Sequence, residues 1–588
     1  MVPDRLLLAN KKGALRAPFF ARLLGLSVAT LWLLTWLDPN HYPPWIVFEN
    51  EASAFVALLL AVVALHLLRS ESGYRAPTRI SVAPLLWLTV LGAAIAVQHV
   101  LGLATLQQAW LGALYLMAVA LAFVGGGLAY AAAAEDRAVW EARAAWGLVL
   151  AALLSAVIVL LQYFGMEHLF PIVAAPHGLF RPFGNLGQPN NQATFLVMGV
   201  VGLDLLRRRQ RVRPVTAALT LFILIPAVVA TGSRSGVLGA LCAAFYLCVV
   251  PTRKENNFTL IWAASLLLLF LCMPAINQFF AQQATRSASE VFSDSARVRL
   301  YSGLLQSLTE HPWAGYGFGN TGVAQSQMAL LGYVGDPVTN AHNLALEFLV
   351  WFGIPLGLIL TVSAAAWILY QWRRGPGHHR PLYALLIPFV VHAMVELPYL
   401  YSFFLLPSGW VAGYLVAGIP GVRTMGWSAR KSFLLGGFVA GVGSLVVYDY
   451  LRCADEFTIA RFEYRKVGAV PTGHVPYRSI VLSDLQGQLD ALRAPVSQDM
   501  NSQTIRTLTE QSLRQRIPLA HTKLISYYLI TANLSAAEIE IRRFSNLYHL
   551  ERKALKWGSE DLQNNFCAAS EPQNEASPQC KLIRDYFH

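Results

Sequence analysis

The feature that most constrains this sequence is a succession of apolar runs, most of them close to one bilayer crossing in length. They lie near 19–37, 52–68, 81–101, 109–131, 144–164, 191–206, 215–231, 236–250, 258–276, 343–370, 382–397, 403–419 and 432–448. Within hydrocarbon every backbone N–H and C=O must find a partner inside the protein, which leaves α-helices and closed barrels. A crossing helix takes about 20 apolar residues and a barrel strand about ten, so these runs specify helices. The expectation is an all-α polytopic membrane protein with about 13 transmembrane helices. Composition agrees: 55% of the 588 residues are hydrophobic and 13% charged, where soluble domains carry roughly a quarter charged residues. The pattern changes at residue 449. Segments such as "TIRTLTEQSLRQRI" (504–517) and "SAAEIEIRRFSNLYHL" (535–550) carry the helical period of a soluble domain. The expected division is therefore 1–448, a membrane domain that includes the long loop 277–341, and 449–588, a helical C-terminal domain.

The charges orient the helices. With the N-terminus in the cytoplasm, the inside segments 1–22, 69–80, 134–143, 207–213, 251–257, 371–381 and 420–431 hold 23 Lys and Arg. The short outside segments 38–50, 103–108, 165–190, 232–235 and 398–402 hold two, Arg181 and Arg234. This is a positive-inside pattern, and it accounts for much of the net charge of +12 without nucleic acid. The first run lacks a small-residue cleavage site before "DPNHYPPW" and reads as a retained anchor. Thirteen crossings put 277–341 and 449–588 outside, which for a bacterial inner membrane is the periplasm. That compartment permits a Cys567–Cys580 disulfide.

The unusual chemistry lies on the outside face. "HGLFRPFGNLGQPNNQATFL" (177–196) sets Arg181 among Asn185, Gln188, Asn190 and Asn191, amides that suit sugar hydroxyls or phosphate oxygens. "TGSRSG" (231–236) brackets Arg234 with glycines and serines where a helix begins, an arrangement suited to an anion. "SDSARVRLYSGLLQSLTEHPWAGYGFGN" (293–320) reads as an amphipathic helix capped at Asp294. Val298, Leu300, Leu304, Leu305 and Leu308 are its apolar residues. Arg297 and Arg299 are two apart and cannot share a face, and Arg297 is favoured. Few arginines at membrane depth, beside Gly/Asn/Pro-rich loops, suit a polyprenyl pyrophosphate, whose lipid lies in the bilayer and whose phosphates lie at its surface.

"NAHNLALEFLVWFGIPLG" (340–357) then places His342 at the outer start of a helix. The helix N-terminus and nearby arginines both disfavour added positive charge, so the expectation is a neutral imidazole able to act as a general base. His392 and Glu396, four apart near the outer end of another run, form either a functional pair or a hydrogen-bonded support for one. No Asp-x-Asp, P-loop or zinc-type spacing occurs, so no metal or cofactor is expected. Polar residues cluster outside rather than at the midplane, which favours an enzyme over a polytopic transporter.

Together "RPFGNLGQPNNQATFL", "TGSRSG", "SARVRLYSGLLQSLTEHPWAGYGFGN", "AHNLALEFLVWFGIPLG", "HAMVELPY" and "DPNHYPPWIVFENE" resemble the bacterial protein O-oligosaccharyltransferases that glycosylate pilins. These are relatives of the O-antigen ligases and Wzy-type polymerases. The resemblance covers most of 38–420, and the tail 449–588 is similar to that branch's helical C-terminal domain. It implies en bloc transfer of a glycan from undecaprenyl pyrophosphate to Ser or Thr hydroxyls of periplasmic proteins such as pilin. His342 matches the family's essential histidine, Arg234 the arginine of the Ser-Arg turn and Arg297 that of the loop helix. Asn185, Gln188 and Asn343 match positioning residues. At Asn191 the family more often has His. On this reading Arg181, Arg234, Arg297 and Arg299 bind pyrophosphate, and Asn185, Gln188, Asn191, Asn343, His392 and Glu396 position the reactants. The alternatives are an O-antigen ligase acting on lipid A-core and, behind it, a Wzy-type polymerase or a transporter without chemistry.

Overall fold

The computed structural model describes residues 31–71, 78–132, 137–175, 181–249, 256–280, 295–465, 467 and 473–548. Asp294, most of the first apolar run, and Cys567 and Cys580 lie outside the described residues. The chain is α-helical. Residues 31–37 (α1) lead to α2 (Phe48–Glu71), α3 (Val82–Val100), α4 (Leu106–Ala132), α5 (Arg137–Tyr163), α6 (Pro189–Arg208), α7 (Pro214–Ala230), α8 (Arg234–Val249) and α9 (Asn256–Phe279). Next come α10 (Ser295–Ser307), α11 (Thr321–Leu330), α12 (Leu344–Arg374), α13 (Ile387–Ala393), α14 (Ser402–Ala417) and α15 (Ala429–Arg465). The C-terminal helices are α16 (Ser483–Arg493), α17 (Ser502–Arg514), α18 (Pro518–Ile530) and α19 (Leu534–Tyr548). Among the described residues, α2, α3, α4, α5, α9, α12 and α15 are long and apolar enough to cross a membrane, and α7, α8 and α14 are shorter apolar helices. Exposed apolar side chains such as Phe222, Leu268, Ile359 and Phe438 suit a lipid-facing surface.

Small residues set the closest helix contact. Gly126 of α4 lies against the Trp410 carbonyl of α14, and Gly413 of α14 against the Phe123 carbonyl of α4. Any Cβ there would force the backbones apart, which is how membrane helices use glycine in place of a hydrophobic driving force. α6 forms the centre, buried from Asn191 to Leu206. It packs on α5, α7 and α8.

Segments assigned to one side of the membrane from charge meet in space. β1 (Thr78–Ser81) pairs antiparallel with β2 (Thr424–Trp427), Ile80 opposite Met425, which ties two segments read as inside. Glu141 accepts from the Tyr414 hydroxyl at 2.7 Å and pairs with Arg209. At the opposite ends of the helices, Trp110 Nε1 donates to the Val481 carbonyl at 3.2 Å, and Gln107 Oε1 accepts from Asp484 N–H at 2.6 Å. These bonds bring the 103–108 segment against the C-terminal helices.

Two of the apolar runs are not straight crossings. α12 is broken at Gly353, where φ is 77° and ψ 171°. A broken helix at membrane depth must re-satisfy its freed backbone groups. Here the segment after α10 does so: Tyr316 N–H reaches the Val350 carbonyl at 2.8 Å, Gly317 N–H the Trp351 carbonyl at 3.1 Å, and Ile354 N–H the Pro312 carbonyl at 2.8 Å. Gln98 of α3 adds a bond to the Trp351 carbonyl at 2.7 Å. The run 382–397 is no single helix either: a 3₁₀ stretch (Gly377–Leu385) precedes the seven-residue α13.

α15 has 37 residues, about 55 Å at 1.5 Å per residue, well beyond a hydrocarbon core of about 30 Å. Its C-terminal half therefore projects and carries the last four helices. Asp449 fastens them: its carboxylate accepts from the N–H groups of Ile480, Val481 and Leu482 at 2.8–2.9 Å and from Ser479 Oγ at 2.6 Å.

Candidate active site

The segment before α6 is shaped by amides that spend themselves on backbone. Gln162 of α5 donates to the carbonyls of Ala174 and Gly184 and accepts from the N–H groups of Phe183 and Gly184, all at 2.7–3.0 Å. Asn185 is fully buried. It accepts from Ala174 N–H at 3.1 Å and donates to the carbonyls of Leu37 and Ile172 at 2.7 Å. The side chain of Asn185, expected to position the reactants, is bonded to backbone on both sides and shapes the loop. Gln188 is the N-cap residue of α6 without a side-chain capping bond. Asn191, one turn further, is buried beside Tyr401.

Asn190, just before Asn191, joins three segments. Its Oδ1 accepts from Ser233 Oγ at 2.9 Å and from Arg181 Nη2 at 3.2 Å, and its Nδ2 donates to Glu396 Oε1 at 2.9 Å. Arg181 also donates from Nε to the Thr231 carbonyl at 2.8 Å, so the 181–191 segment and the Ser-Arg turn form one surface. Ser233 Oγ accepts from Gly236 N–H at 3.1 Å, which caps α8, and Arg234 is the first residue of that helix.

Glu396 is the second node. It is almost buried, its side chain 4% exposed. Its Oε1 also receives Arg297 Nη2, and its Oε2 pairs with His342 Nδ1 at 2.9 Å. With a carboxylate on Nδ1, that nitrogen carries the hydrogen, which in the neutral tautomer leaves the lone pair on Nε2. The ring is about a quarter exposed. The expectation built on arginines and a helix terminus left out this carboxylate, because Glu396 is 54 residues away in sequence.

His342 has φ 55°, the left-handed region, which disfavours residues with a Cβ. Both flanks hold it there. Asn343 Oδ1 caps α12 through Leu346 N–H at 3.0 Å, and Asn343 Nδ2 donates to the Met394 carbonyl at 2.9 Å. The Tyr301 hydroxyl donates to the His342 carbonyl at 3.1 Å.

Other expectations are modified. His392 and Glu396 do not act as one pair. α13 ends at Ala393, and each side chain takes its own partner: His392 Nδ1 meets Thr194 Oγ1 at 2.9 Å, whereas Glu396 meets His342. Of the two loop arginines, Arg297 joins the cluster, whereas Arg299 is exposed on another face of α10. Along that helix Leu300, Leu304 and Leu308 are buried as expected, but Val298 and Leu305 are exposed. The sequence marked Asn190 only as one of several amides near Arg181 and gave no role to Tyr301 or Glu347. Glu347, a carboxylate one turn into an apolar run, was the visible signal among them.

Comparison with known proteins finds matches over the same segments. The O-antigen ligase family model matches residues 219–362, which hold the Ser-Arg turn, α10 and His342. The protein glycosylation ligase model matches 182–206, which hold Asn185, Gln188, Asn190 and Asn191. A general O-oligosaccharyltransferase of Acinetobacter baylyi is 28% identical over 411 residues, 68% of this chain and 70% of that protein. A ComP-specific O-oligosaccharyltransferase of the same organism is 29% identical over 241 residues, 40% of this chain and 44% of that one. An O-antigen ligase of Pseudomonas aeruginosa is 28% identical over 166 residues, 27% of this chain and 37% of that one. The chain is thus a membrane glycosyltransferase that resembles the protein O-oligosaccharyltransferases within the O-antigen ligase superfamily.

Proposed function

We propose that the protein transfers a glycan en bloc from undecaprenyl pyrophosphate to Ser or Thr hydroxyls of periplasmic proteins such as pilin, with His342 as general base. The observation that carries this reading is the His342–Glu396 pair at 2.9 Å, flanked by Arg297 on the same carboxylate and by Arg181 and Arg234 around Asn190 and Ser233. Glu396 holds the Nδ1 hydrogen, and Nε2 takes the proton of the acceptor hydroxyl. The hydroxyl oxygen attacks the anomeric carbon. The bond from that carbon to the pyrophosphate oxygen breaks, its electron pair stays on the pyrophosphate, and the proton on His342 passes to solvent. One displacement inverts the anomeric centre. Arg181, Arg234 and Arg297 stabilise the charge developing on the leaving group, with Arg299 further out on the same helix, so the scheme calls on no divalent cation.

The same reading gives a periplasmic active site in a bacterial inner membrane, supported by the concentration of Lys and Arg on the opposite loops. Residues 1–448 form the transfer domain and 449–588 a periplasmic helical domain. A second reading, transfer to lipid A-core, is favoured by the O-antigen ligase match across 219–362.

Purified protein in lipid, supplied with lipid-linked oligosaccharide and either a pilin or lipid A-core, separates the two. Glycan on pilin Ser or Thr is expected. Transfer to lipid A-core alone would contradict the proposal and establish the second reading.

A further inference from the structure

His342 carries the chemistry in the reading above, and the Asn343 cap and the Tyr301 hydroxyl fix its left-handed backbone from the C-terminal side. The other flank is held one residue earlier, by a fully buried carboxylate. Glu347 is 0% exposed. Its Oε2 accepts from the Ala341 N–H at 2.8 Å and from Thr321 Oγ1 at 3.0 Å, and its Oε1 accepts from Asn340 Nδ2 at 2.8 Å. Glu347 N–H closes the turn on the Asn343 carbonyl at 2.8 Å. Thr321 is fixed in turn, because its Oγ1 accepts from Trp351 Nε1 at 3.0 Å. A buried carboxylate is kept in an apolar helix only where its lone pairs are filled, and here they are filled by Asn340 and Ala341, in the segment before His342, and by Thr321.

We propose that Glu347 is a positioning residue: it grips Asn340 and Ala341 so that His342 leaves the turn in the left-handed conformation that delivers Nδ1 to Glu396. The proposal rests on the reading of His342 as base. A carboxylate is suited to the task because one group accepts from a backbone N–H, an amide and a hydroxyl at once. Without it the Ala341 N–H is orphaned inside the protein, and the turn relaxes toward ordinary backbone angles, which withdraws the imidazole.

The test uses the full chain in lipid, with lipid-linked oligosaccharide and acceptor protein, and compares Glu347→Ala, Glu347→Gln, Thr321→Val and, as reference, His342→Ala. A shift of about 1 Å in a catalytic group costs about 100-fold in rate. Glu347→Ala should therefore lower kcat on the order of 30- to 100-fold, with KM for donor and acceptor within about threefold of wild type. Glu347→Gln keeps an acceptor oxygen and should recover at least about a third of wild-type kcat, and Thr321→Val should lose about three- to tenfold. A second readout is independent of catalysis: diethyl pyrocarbonate modification of His342, followed by mass spectrometry, should speed up severalfold in Glu347→Ala as the ring leaves Glu396. Wild-type kcat and wild-type modification rates in both Glu347 variants would overturn the proposal. So would a loss expressed only in KM. If Glu347→Ala fails to fold, wild-type kcat in both Glu347→Gln and Thr321→Val overturns it instead. Activity retained by His342→Ala would sink the base assignment, while the modification rate still decides the positioning.

Discussion

At the scale of single residues, Glu396 is the point where the site converges. It joins a base candidate, a loop arginine and an amide from the first turn of α6. Replacing its carboxylate with an amide presents the imidazole with an NH₂ group and removes the charge facing Arg297. Glu396→Gln should lower kcat by about 10²- to 10⁴-fold, in the range seen when the residue orienting a catalytic histidine is neutralised or general-base function is lost. Single-turnover kinetics with bound donor would measure this apart from binding. The sequence made His342, Arg234 and Arg297 visible, because each stands in a short distinctive setting. Glu396 was visible only as the neighbour of His392 four residues back, since local spacing says nothing about a partner 54 residues away. Asn185 misled for the opposite reason. An amide in a polar loop looks like a ligand group until the carbonyls of Leu37 and Ile172 are seen to occupy it.

At the scale of elements, the helix that follows His342, α12, is broken at Gly353. The segment 312–317 lies across the break and takes the backbone bonds that helix continuity would have used. A Cβ on Gly353 would collide with the Trp313 and Pro312 carbonyls, and φ is 77°. Gly353→Ala should therefore destabilise the protein by at least about 2 kcal/mol, read as a lower thermal midpoint in detergent. An unchanged midpoint would mean that the break is not a fixed part of the fold. Hydropathy located the run 343–370, but it averages over a break, and Gly-Ile-Pro inside a hydrophobic stretch is common enough in membrane helices to pass as continuous. The run 382–397 was misread through the same averaging: it is apolar, but it is built from a 3₁₀ stretch and the short α13 rather than from one helix. The helices with a plain 3.6-residue period, such as α17 and α19, were legible nearly to their ends.

At the scale of the whole molecule, the C-terminal helices grip the long loop beside the site. Arg516, nearly buried, donates from Nη1 to Ser326 Oγ at 2.6 Å and from Nη2 to the Gly322 carbonyl, and Arg514 Nη1 reaches Asn320 Oδ1 at 3.0 Å. Asn320 and Gly322 flank the Thr321 that braces Glu347, at the start of α11, and Ser326 lies one turn further along. Arg516→Ala should loosen this interface by about 1.5–3 kcal/mol, the loss of hydrogen bonds made by a charged group, seen as faster proteolysis between α15 and α17. The same helices carry an acid-sensitive pair. Burial holds the His521 imidazole below its ordinary range. Burial alone would raise the Glu540 carboxyl, but the bond from His521 and the charges of His521 and Arg543 hold it below its ordinary range. Below about pH 6.5 the unfolded chain binds a proton at His521 that the folded one resists, so stability declines on acidification. Glu540 adds a further loss below about pH 4.3, where the unfolded carboxyl protonates first. Amide protection in α18 and α19, corrected for the intrinsic pH dependence of exchange, should fall from pH 7 to 5 in wild type, and His521→Gln should flatten that response. The central claim concerns what the assembled enzyme does with His342, and one measurement tests it most directly: the rate of glycan transfer to acceptor protein by His342→Ala, at equal amounts of folded, donor-bound enzyme. A fall of about 10²-fold or more with donor binding intact is the expected result; transfer at the wild-type rate would contradict the account.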